Sequence, residues 1–374
     1  MHVFVVEVPR TNYVSGHMTL PGLSKIRVGK ECVPYYTAED DRTRIPVPGV
    51  SIGDLSVESI RWAIAEHRRK FDVHEGRWVD PQEFLAQGRL VKRYLVDGEV
   101  LPHYDIPLST LILFGKQAAL SAHVPFLETI VITDGGEIRL HKNVVDCVQA
   151  LCASQASRIP SQCPTIARSC IQELLINAYI HRCYRTPAPI EVRITASALE
   201  ISNPGELLGG LHPDNLIHCV PVYRNLSLAD GARFIGLCDK IGRGIDTVYE
   251  SALSGGFDIP VFESGNNLFT GRVRLQRSIE FREFVRKRAQ SLSNLDEILV
   301  LRFLWSRHEA SLMEISWVLQ RSHAATRRIL EGQMKKYQVE RCDHDLSFHL
   351  TASVRRDIET ISQSDQMDMN LWGE

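Results

Sequence analysis

The chain has 374 residues, of which 44% are hydrophobic and 24% are charged, a balance that is typical of a soluble globular protein. This length suggests two to three domains, each with its own core. The net charge of −2 excludes a chain that is basic throughout, so nucleic-acid binding would need a local basic region. Nine dispersed cysteines and the absence of a long apolar run predict a cytoplasmic protein without a transmembrane helix.

The first part of the chain predicts strands followed by helices. Residues 3–9, VFVVEVP, read as a buried strand, and residues 25–28 predict a second strand. A buried strand so early suggests that the preceding structure is missing or is supplied by another chain. Residues 56–71 predict an amphipathic helix with Ser56 as its N-cap, and residues 81–96 predict one or two more helices.

The middle of the chain predicts a sheet with a long loop. The turn sequence Asp134-Gly135-Gly136 lies between two apolar segments and predicts a β-hairpin. Residues 190–194 and 199–202 alternate and predict two further strands. Residues 206–228 have no clear period and are long for a connection, so they are a candidate lid. Two more helices and two closing strands are predicted at residues 229–237, 245–253, 260–263 and 270–276.

The segment ELLINAYIHR places three polar side chains on one face of an apolar helix. Glu173, Asn177 and His181 are spaced four residues apart, beside the apolar stripe. A carboxamide oxygen can bind Mg²⁺, and a carboxylate can orient water for hydrolysis of a phosphoanhydride. Gly242 and Gly244 precede a predicted helix whose first N–H groups could bind phosphates. Each motif alone is more often an ordinary helix rim or turn.

In this order, however, the motifs resemble a known family. They resemble the ATPase-like domain of Schlafen/AlbA-type transcriptional regulators, also labelled RecG-like C-terminal domains, which is a divergent branch of the GHKL (Bergerat-fold) ATPases. The matching stretches are LSTLILFGKQ, ELLINAYIHRCY, LEISNPGELLGGL, YRNLSLA and KIGRGIDTVYE. The resemblance implies an α/β (α+β) fold: a GHKL-like α/β sandwich with partial N-terminal AlbA-type strands.

The resemblance also implies ATP and Mg²⁺ as cofactors and a role for each motif. Glu173 would polarise water as the catalytic residue, and Asn177 would bind Mg²⁺. The remaining nucleotide-binding positions would contact adenine, belong to the lid or approach the phosphates; they are Asn203 and Gly205, Arg224 and Asn225, and Gly242 and Gly244.

Three positions depart from the family pattern. Asn203 stands where GHKL ATPases use an Asp to accept from the adenine amino group, Cys183 replaces an Asp, and Leu226 replaces a Pro. ATP binding is therefore a stronger expectation than hydrolysis. The N-terminal segment carries only the later AlbA-type strands, so we expect a structural remnant packed on the ATPase-like domain.

The last part of the chain predicts three helices and then an alternating stretch, which is the order of a winged helix-turn-helix. From Arg282 to Lys336, eleven Lys and Arg residues stand against six Asp and Glu residues, an electrostatic pattern that suits DNA. Five residues at the start of the third helix would contact duplex DNA: Ser322, His323, Thr326, Arg327 and Arg328. A winged helix can also serve as a dimerisation or docking module.

These observations predict six segments: an AlbA-type remnant (1–50), a connecting α/β region (51–155), a GHKL-like ATP-binding domain (156–278), a linker helix (279–293), a winged helix-turn-helix (294–361) and a flexible tail (362–374). The leading hypothesis is a nucleotide-sensing, DNA-binding transcriptional regulator. The alternatives are an ATPase component of a multi-protein assembly, for example in defence against foreign DNA, and a scaffold that binds no nucleotide. A homodimer or a protein partner could supply the missing N-terminal part.

Overall fold

The structure is a computed structural model that describes most of the chain. The described residues are 25–28, 31–34, 41–73, 80–96, 99–153, 168–217, 219, 221–238, 243–276, 278–288, 292, 294–342 and 347–360. Three of the predicted features lie outside these residues: the strand at 3–9, Gly242 and the tail at 362–374.

The described chain is a mixed α/β protein, and the predicted fold class is therefore confirmed. The strands are β1 (Lys25–Val28), β2 (Glu31–Pro34), β3 (Lys92–Val96), β4 (Glu99–Asp105), β5 (Thr129–Thr133), β6 (Gly136–Leu140), β7 (Ile190–Ile194), β8 (Ala198–Pro204), β9 (Val261–Gly265), β10 (Leu268–Arg274), β11 (Glu309–Ser311), β12 (Val339–Arg341) and β13 (Ser347–Leu350).

The helices alternate with these strands. They are α1 (Val57–Phe71), α2 (Pro81–Gln87), α3 (Leu108–Phe114), α4 (Gln117–His123), α5 (Val144–Ala153), α6 (Arg168–His181), α7 (Leu226–Ile235), α8 (Gly244–Ser254), α9 (Ile279–Lys287), α10 (Leu295–Arg307), α11 (Leu312–Leu319), α12 (His323–Lys335) and α13 (352–360). None of the described helices is long and apolar enough to cross a membrane.

A six-stranded sheet forms the centre of the fold, with strand order β6-β5-β7-β8-β10-β9. All neighbours are antiparallel except β5 and β7, which pair in parallel with Thr129 opposite Ile190. The hairpin of β5 and β6 thus joins the same sheet as the strands that follow α6. The domain boundary that we expected between residues 155 and 156 runs through this sheet, because parallel pairing between distant strands leaves no local signal.

Helix α6 lies on this sheet and is buried by it. Ile171 and Leu175 are almost completely buried, and a Cβ at Gly271 in β10 would lie only 2.9 Å from Leu174 Cδ2. Helices α8 and α5 also pack against α6. Because α6 is enclosed by three elements, a polar residue on it can reach solvent only at the edges of these contacts.

One prediction in the N-terminal half was wrong. Residues 81–87 form the expected helix, but residues 92–96 form β3, which pairs with β4. Helix α2 ends at Gly88, and Arg89 follows with a positive φ of 54° that a continuing helix does not allow. Pairing with β4 then determines the conformation, which helical periodicity could not reveal.

Helices α10 to α13 and the three-stranded sheet β11-β13-β12 form what we call the C-terminal bundle, residues 294–342 and 347–360. Strand β11 was not predicted. The buried Arg302 in α10 attaches this bundle to the central sheet region. Its guanidinium donates to Asp258 Oδ1 at 2.6 Å and to the Phe257 carbonyl at 3.2 Å. Burial lowers the Arg302 pKa, and Asp258 opposes that effect.

Two mid-helix glycines provide a test of packing in the fold. Gly231 in α7 faces α3, and a Cβ there would lie 2.7 Å from Leu113 Cδ1 and 2.9 Å from Leu90 Cδ2. Both leucines are buried and cannot turn away. We expect Gly231→Ala to lower the free energy of unfolding in urea, because overpacking costs about 1–3 kcal/mol and outweighs the helix-propensity gain of about 1 kcal/mol.

Gly332 in α12 is the matched control, since a Cβ there would meet no atom within 4 Å. Gly332→Ala should raise the free energy of unfolding by about 0.5–1 kcal/mol. Equal stabilisation by both substitutions would show that α3 and α7 do not approach each other closely.

Candidate functional site

Helices α6 and α8 approach each other closely at three of the predicted site residues. A Cβ built on Gly244 would be 3.1 Å from Glu173 Oε2, 3.1 Å from Asn177 Nδ2 and 3.3 Å from Asn177 Oδ1. These distances are tighter than ordinary Cβ contacts, so a glycine at this position lets the start of α8 meet both side chains. The structure therefore brings the ELLINAYIHR motif together with the KIGRG motif.

Glu173 and Asn177 differ in their access to solvent. Glu173 is 5% exposed, whereas Asn177 is partly exposed and lines a cavity together with Gly244. The Asn177 Nδ2 atom is buried and has no hydrogen-bond partner among the described residues. A buried amide donor without a partner costs about 1–3 kcal/mol, so an acceptor atom of a ligand would stabilise it.

His181 occupies the next turn of α6 and also lines the cavity. Its imidazole stacks on the Tyr223 ring with the centroids 5.7 Å apart and the planes 12° from parallel. Burial lowers the His181 pKa to about 4, and the nearby Arg224 charge adds to this effect. The imidazole is therefore neutral near pH 7, and together with Tyr223 it presents a flat, uncharged wall.

The turn after β8 approaches the same cavity. Gly205 has a φ of +108°, and a Cβ there would be 3.1 Å from Cys183 Cβ and 3.3 Å from Arg224 Nη2. Both the conformation and the space favour glycine, which lines the cavity. Asn203, two residues earlier in β8, is almost completely buried, and its Nδ2 donates to the Pro204 carbonyl at 3.3 Å. It does not line the cavity.

The expected lid residues Arg224 and Asn225 bind the C-terminal end of α6. Arg224 donates to the His181 carbonyl at 3.2 Å and to the Glu206 carbonyl at 2.9 Å. The buried Asn225 amide donates to the carbonyls of Ile180 at 2.7 Å and Arg182 at 2.8 Å. These are the carbonyl groups that a helix end leaves without partners, so the structure gives Asn225 an anchoring role.

The cavity itself is small and mostly apolar, with a volume of about 90 Å³. The cavity loop, residues 205–217, forms much of its wall through leucine side chains. Ligand pockets in proteins usually measure about 300–1,000 Å³, so a nucleotide fits this space only if the cavity loop moves outward. The residues that line the cavity are Asn177, His181, Gly205, Glu206, Leu207, Leu208, Leu211, Leu216, Cys219, Pro221, Val222, Tyr223, Gly244, Ile245 and Phe269.

Sequence reasoning missed several of these residues. Glu206 places a second carboxylate at the cavity, and its Oε1 accepts from the Asn267 N–H at 2.7 Å. Tyr223 directly precedes a residue of the expected lid motif, yet it carries no signal by itself. The unusual length of the loop and its repeated leucines were the available clue, because exposed loops rarely carry so many apolar residues.

The predicted DNA-contacting residues divide into two groups. His323, Arg327 and Arg328 are exposed on α12, and Ser322 caps the helix by accepting from the Ala325 N–H at 3.3 Å. Thr326 is completely buried, so the expectation that it contacts DNA was wrong. Thr326 lies on the apolar face of α12, which packs against the core of the C-terminal bundle, because it is one turn before the buried Leu330.

Ion pairs use up much of the basic excess in this region. Arg302, Arg321 and Lys336 pair with Asp258, Asp296 and Glu297, and further pairs involve Arg282, Arg286 and Arg288. No carboxylate in the described part of the chain pairs with Arg327 or Arg328. The positive charges of Arg327 and Arg328 at the start of α12 are therefore available to an external partner.

Comparison with known proteins gives one family match. Residues 188–273 match the family described as "Putative ATP-dependent DNA helicase recG C-terminal". The matched segment contains β7 to β10 and includes Gly205 and Gly244, whereas Glu173 and Asn177 precede it. No curated protein matches the chain.

A solved structure matches over a longer range. The DIP2311 protein from Corynebacterium diphtheriae is 19% identical, with a TM-score of 0.64 over 89% of this chain. The chain spans 60% of the length of that protein, and the likeness shows a common fold. Together, the two matches identify a mixed α/β protein that contains an ATPase-like domain.

Proposed function

We propose that this protein binds ATP with Mg²⁺ in the cavity between α6, α8 and the cavity loop. The observation that carries the proposal is the contact of Gly244 with Glu173 and Asn177. It joins a carboxylate, a carboxamide and the N-terminus of a helix at one point, and the family match covers the α8 side of this contact. Helix N-termini favour phosphate groups through their free N–H groups and dipole.

The residues at the two ends of the cavity suit different parts of a nucleotide. Asn177 and the backbone at Gly244 would face the phosphates and Mg²⁺, and the buried Asn177 amide fits such polar groups. The neutral His181, Tyr223 and the leucines of the cavity loop would face the base. When bound, Mg²⁺ would neutralise phosphate charge. The carboxylate of Glu173 would orient water, which makes hydrolysis a step beyond binding.

We further propose that the C-terminal bundle is a winged helix-turn-helix that binds duplex DNA, so that the protein acts as a nucleotide-responsive regulator. The order of three helices with a β11-β13-β12 sheet supports this architecture. The exposed Arg327 and Arg328 at the start of α12 support the DNA contact, because helix-turn-helix proteins place that part of the helix in the major groove.

The second candidate is an ATPase subunit of a multi-protein assembly, with the C-terminal bundle as its docking module. One observation favours it. Met313 and Trp317 lie one turn apart on α11, with 68% and 66% of their surfaces exposed. Exposed aromatic and methionine side chains are enriched at protein interfaces. The DNA titration described below separates the two candidates.

Binding is tested by calorimetry with ATP in the presence and absence of Mg²⁺. We expect the wild type to bind and Asn177→Ala to weaken the magnesium-dependent affinity by about 1–3 kcal/mol, which is roughly five- to 150-fold. Gln172→Ala is the matched control, since Gln172 is on the same helix but donates to the Leu237 carbonyl at 2.7 Å. Equal weakening by both variants would contradict the proposed site.

Turnover is tested by release of phosphate from ATP. Glu173→Gln preserves shape and removes the carboxylate, so it should abolish hydrolysis while ATP affinity remains. The control is Glu206→Gln, which removes the other carboxylate at the cavity. Loss of hydrolysis in Glu206→Gln with full activity in Glu173→Gln would assign the water-orienting role to Glu206 instead.

DNA binding is tested with the full chain by fluorescence anisotropy of labelled duplex DNA over a range of salt concentrations. Replacing Arg327 and Arg328 with Ala should weaken binding and reduce the log–log salt slope by about 0.9 for each lost phosphate contact. If one of them contacts a guanine, its loss should cost about 1–3 kcal/mol at that base.

Arg355 and Arg356 on α13 provide the matched control, because their replacement with Ala makes the same charge change outside α12. That variant should keep the wild-type salt slope. No affinity of the wild type even at low salt would reject the DNA proposal and favour the docking module.

A further inference from the structure

One side chain of the C-terminal bundle is bonded directly to the cavity loop. Gln320 accepts a hydrogen bond at Oε1 from the Ile217 N–H at 2.6 Å, and its Nε2 donates to the Pro213 carbonyl at 3.0 Å. Both ends of one carboxamide are thus used by the backbone of the loop. These two hydrogen bonds define the position of the loop more closely than apolar packing does, because hydrogen bonds are directional.

The bonded part of the loop is also the part that closes the cavity. Leu216 lines the cavity and is 4% exposed, and Ile217 beside it is equally buried. If Leu216 and Ile217 moved outward, the two bonds to Gln320 would have to break. The bonds therefore stabilise the closed form of the cavity, in which the volume of about 90 Å³ is too small for a nucleotide.

The conformation of Gln320 is itself held firmly within the C-terminal bundle. Gln320 ends α11 in the left-handed conformation, with φ 53°, and begins the turn into α12. The next residue, Arg321, pairs with Asp296 at the start of α10 at 2.8 Å. The carboxamide is therefore presented by the turn between the second and third helices of the bundle, directly before the exposed residues of α12.

We propose that Gln320 is a positioning residue that holds the cavity loop closed, and that nucleotide entry is coupled through it to the turn between α11 and α12. The inference rests on the proposed nucleotide site. Because coupling between two sites is reciprocal, a nucleotide that opens the loop must release Gln320, and a change at the turn must alter nucleotide affinity. The C-terminal bundle thereby controls access to the binding site.

The test compares ATP affinity, measured by calorimetry on the full chain, between the wild type and two Gln320 variants. Gln320→Ala removes both bonds, and Gln320→Gly removes them while favouring the positive φ, so a folding defect does not obscure the result. Both variants should bind ATP at least about fivefold more tightly, since the closed loop no longer competes. Arg356→Ala is the control: it lies on α13, outside the turn, keeps both loop bonds and should leave the affinity unchanged.

Hydrogen exchange provides a second readout. Without nucleotide, Gln320→Gly should raise amide exchange across residues 214–217. Mg²⁺–ATP should produce the same rise in the wild type, with faster exchange at the α11–α12 turn. ATP binding by the two Gln320 variants but not by the wild type would also support the inference.

The opposing outcomes are distinct. ATP binding by the wild type with unchanged affinity in both Gln320 variants would overturn the coupling and leave the proposed function intact. No binding by any of the proteins would overturn both.

Discussion

The close approach of α8 to α6 at Gly244 is the constraint on which the rest of the site depends. A side chain at this position would separate the two helices and move the start of α8 away from Glu173 and Asn177. The sheet supports a neighbouring face of α6, where Leu174 contacts Gly271 of β10. Helix α6 is thus held by both α8 and the sheet, and Asn177 and His181 line the cavity beside this contact.

The C-terminal end of α6 shows how the structure supports this edge. Asn225 and Arg224 satisfy the last carbonyl groups of the helix, and Arg224 also holds the start of the cavity loop through the Glu206 carbonyl. The cavity loop is then fixed at its other end by Gln320. The leucine-rich cavity loop is thus bonded at both ends while it closes over a small cavity.

The comparison of sequence and structure is clearest at Thr326 and at β3. Thr326 was assigned to DNA because it lies at the start of the third helix, but helical periodicity places it with the buried Leu330. Residues 92–96 were predicted to be helical, but they form β3 because its partner β4 supplies the backbone hydrogen bonds. The sheet raised a similar difficulty, since the parallel pairing of β5 with β7 joins segments that we had divided between two domains. Only the pairing of β5 with β7 joins residues that are distant in sequence, whereas Thr326 and β3 lie close in sequence to the residues that determine their positions.

Local chemistry could be read from the chain because it depends on neighbouring residues. The four-residue spacing of Glu173 and Asn177, the N-cap Ser56 and the turn at Gly135 all follow from backbone periodicity and short-range hydrogen bonds. The size of the cavity, its leucine wall and the bonds of Gln320 to the cavity loop arise only when distant segments pack together. Such contacts depend on side-chain volumes and on competition among many packings, and no short sequence pattern encodes that competition.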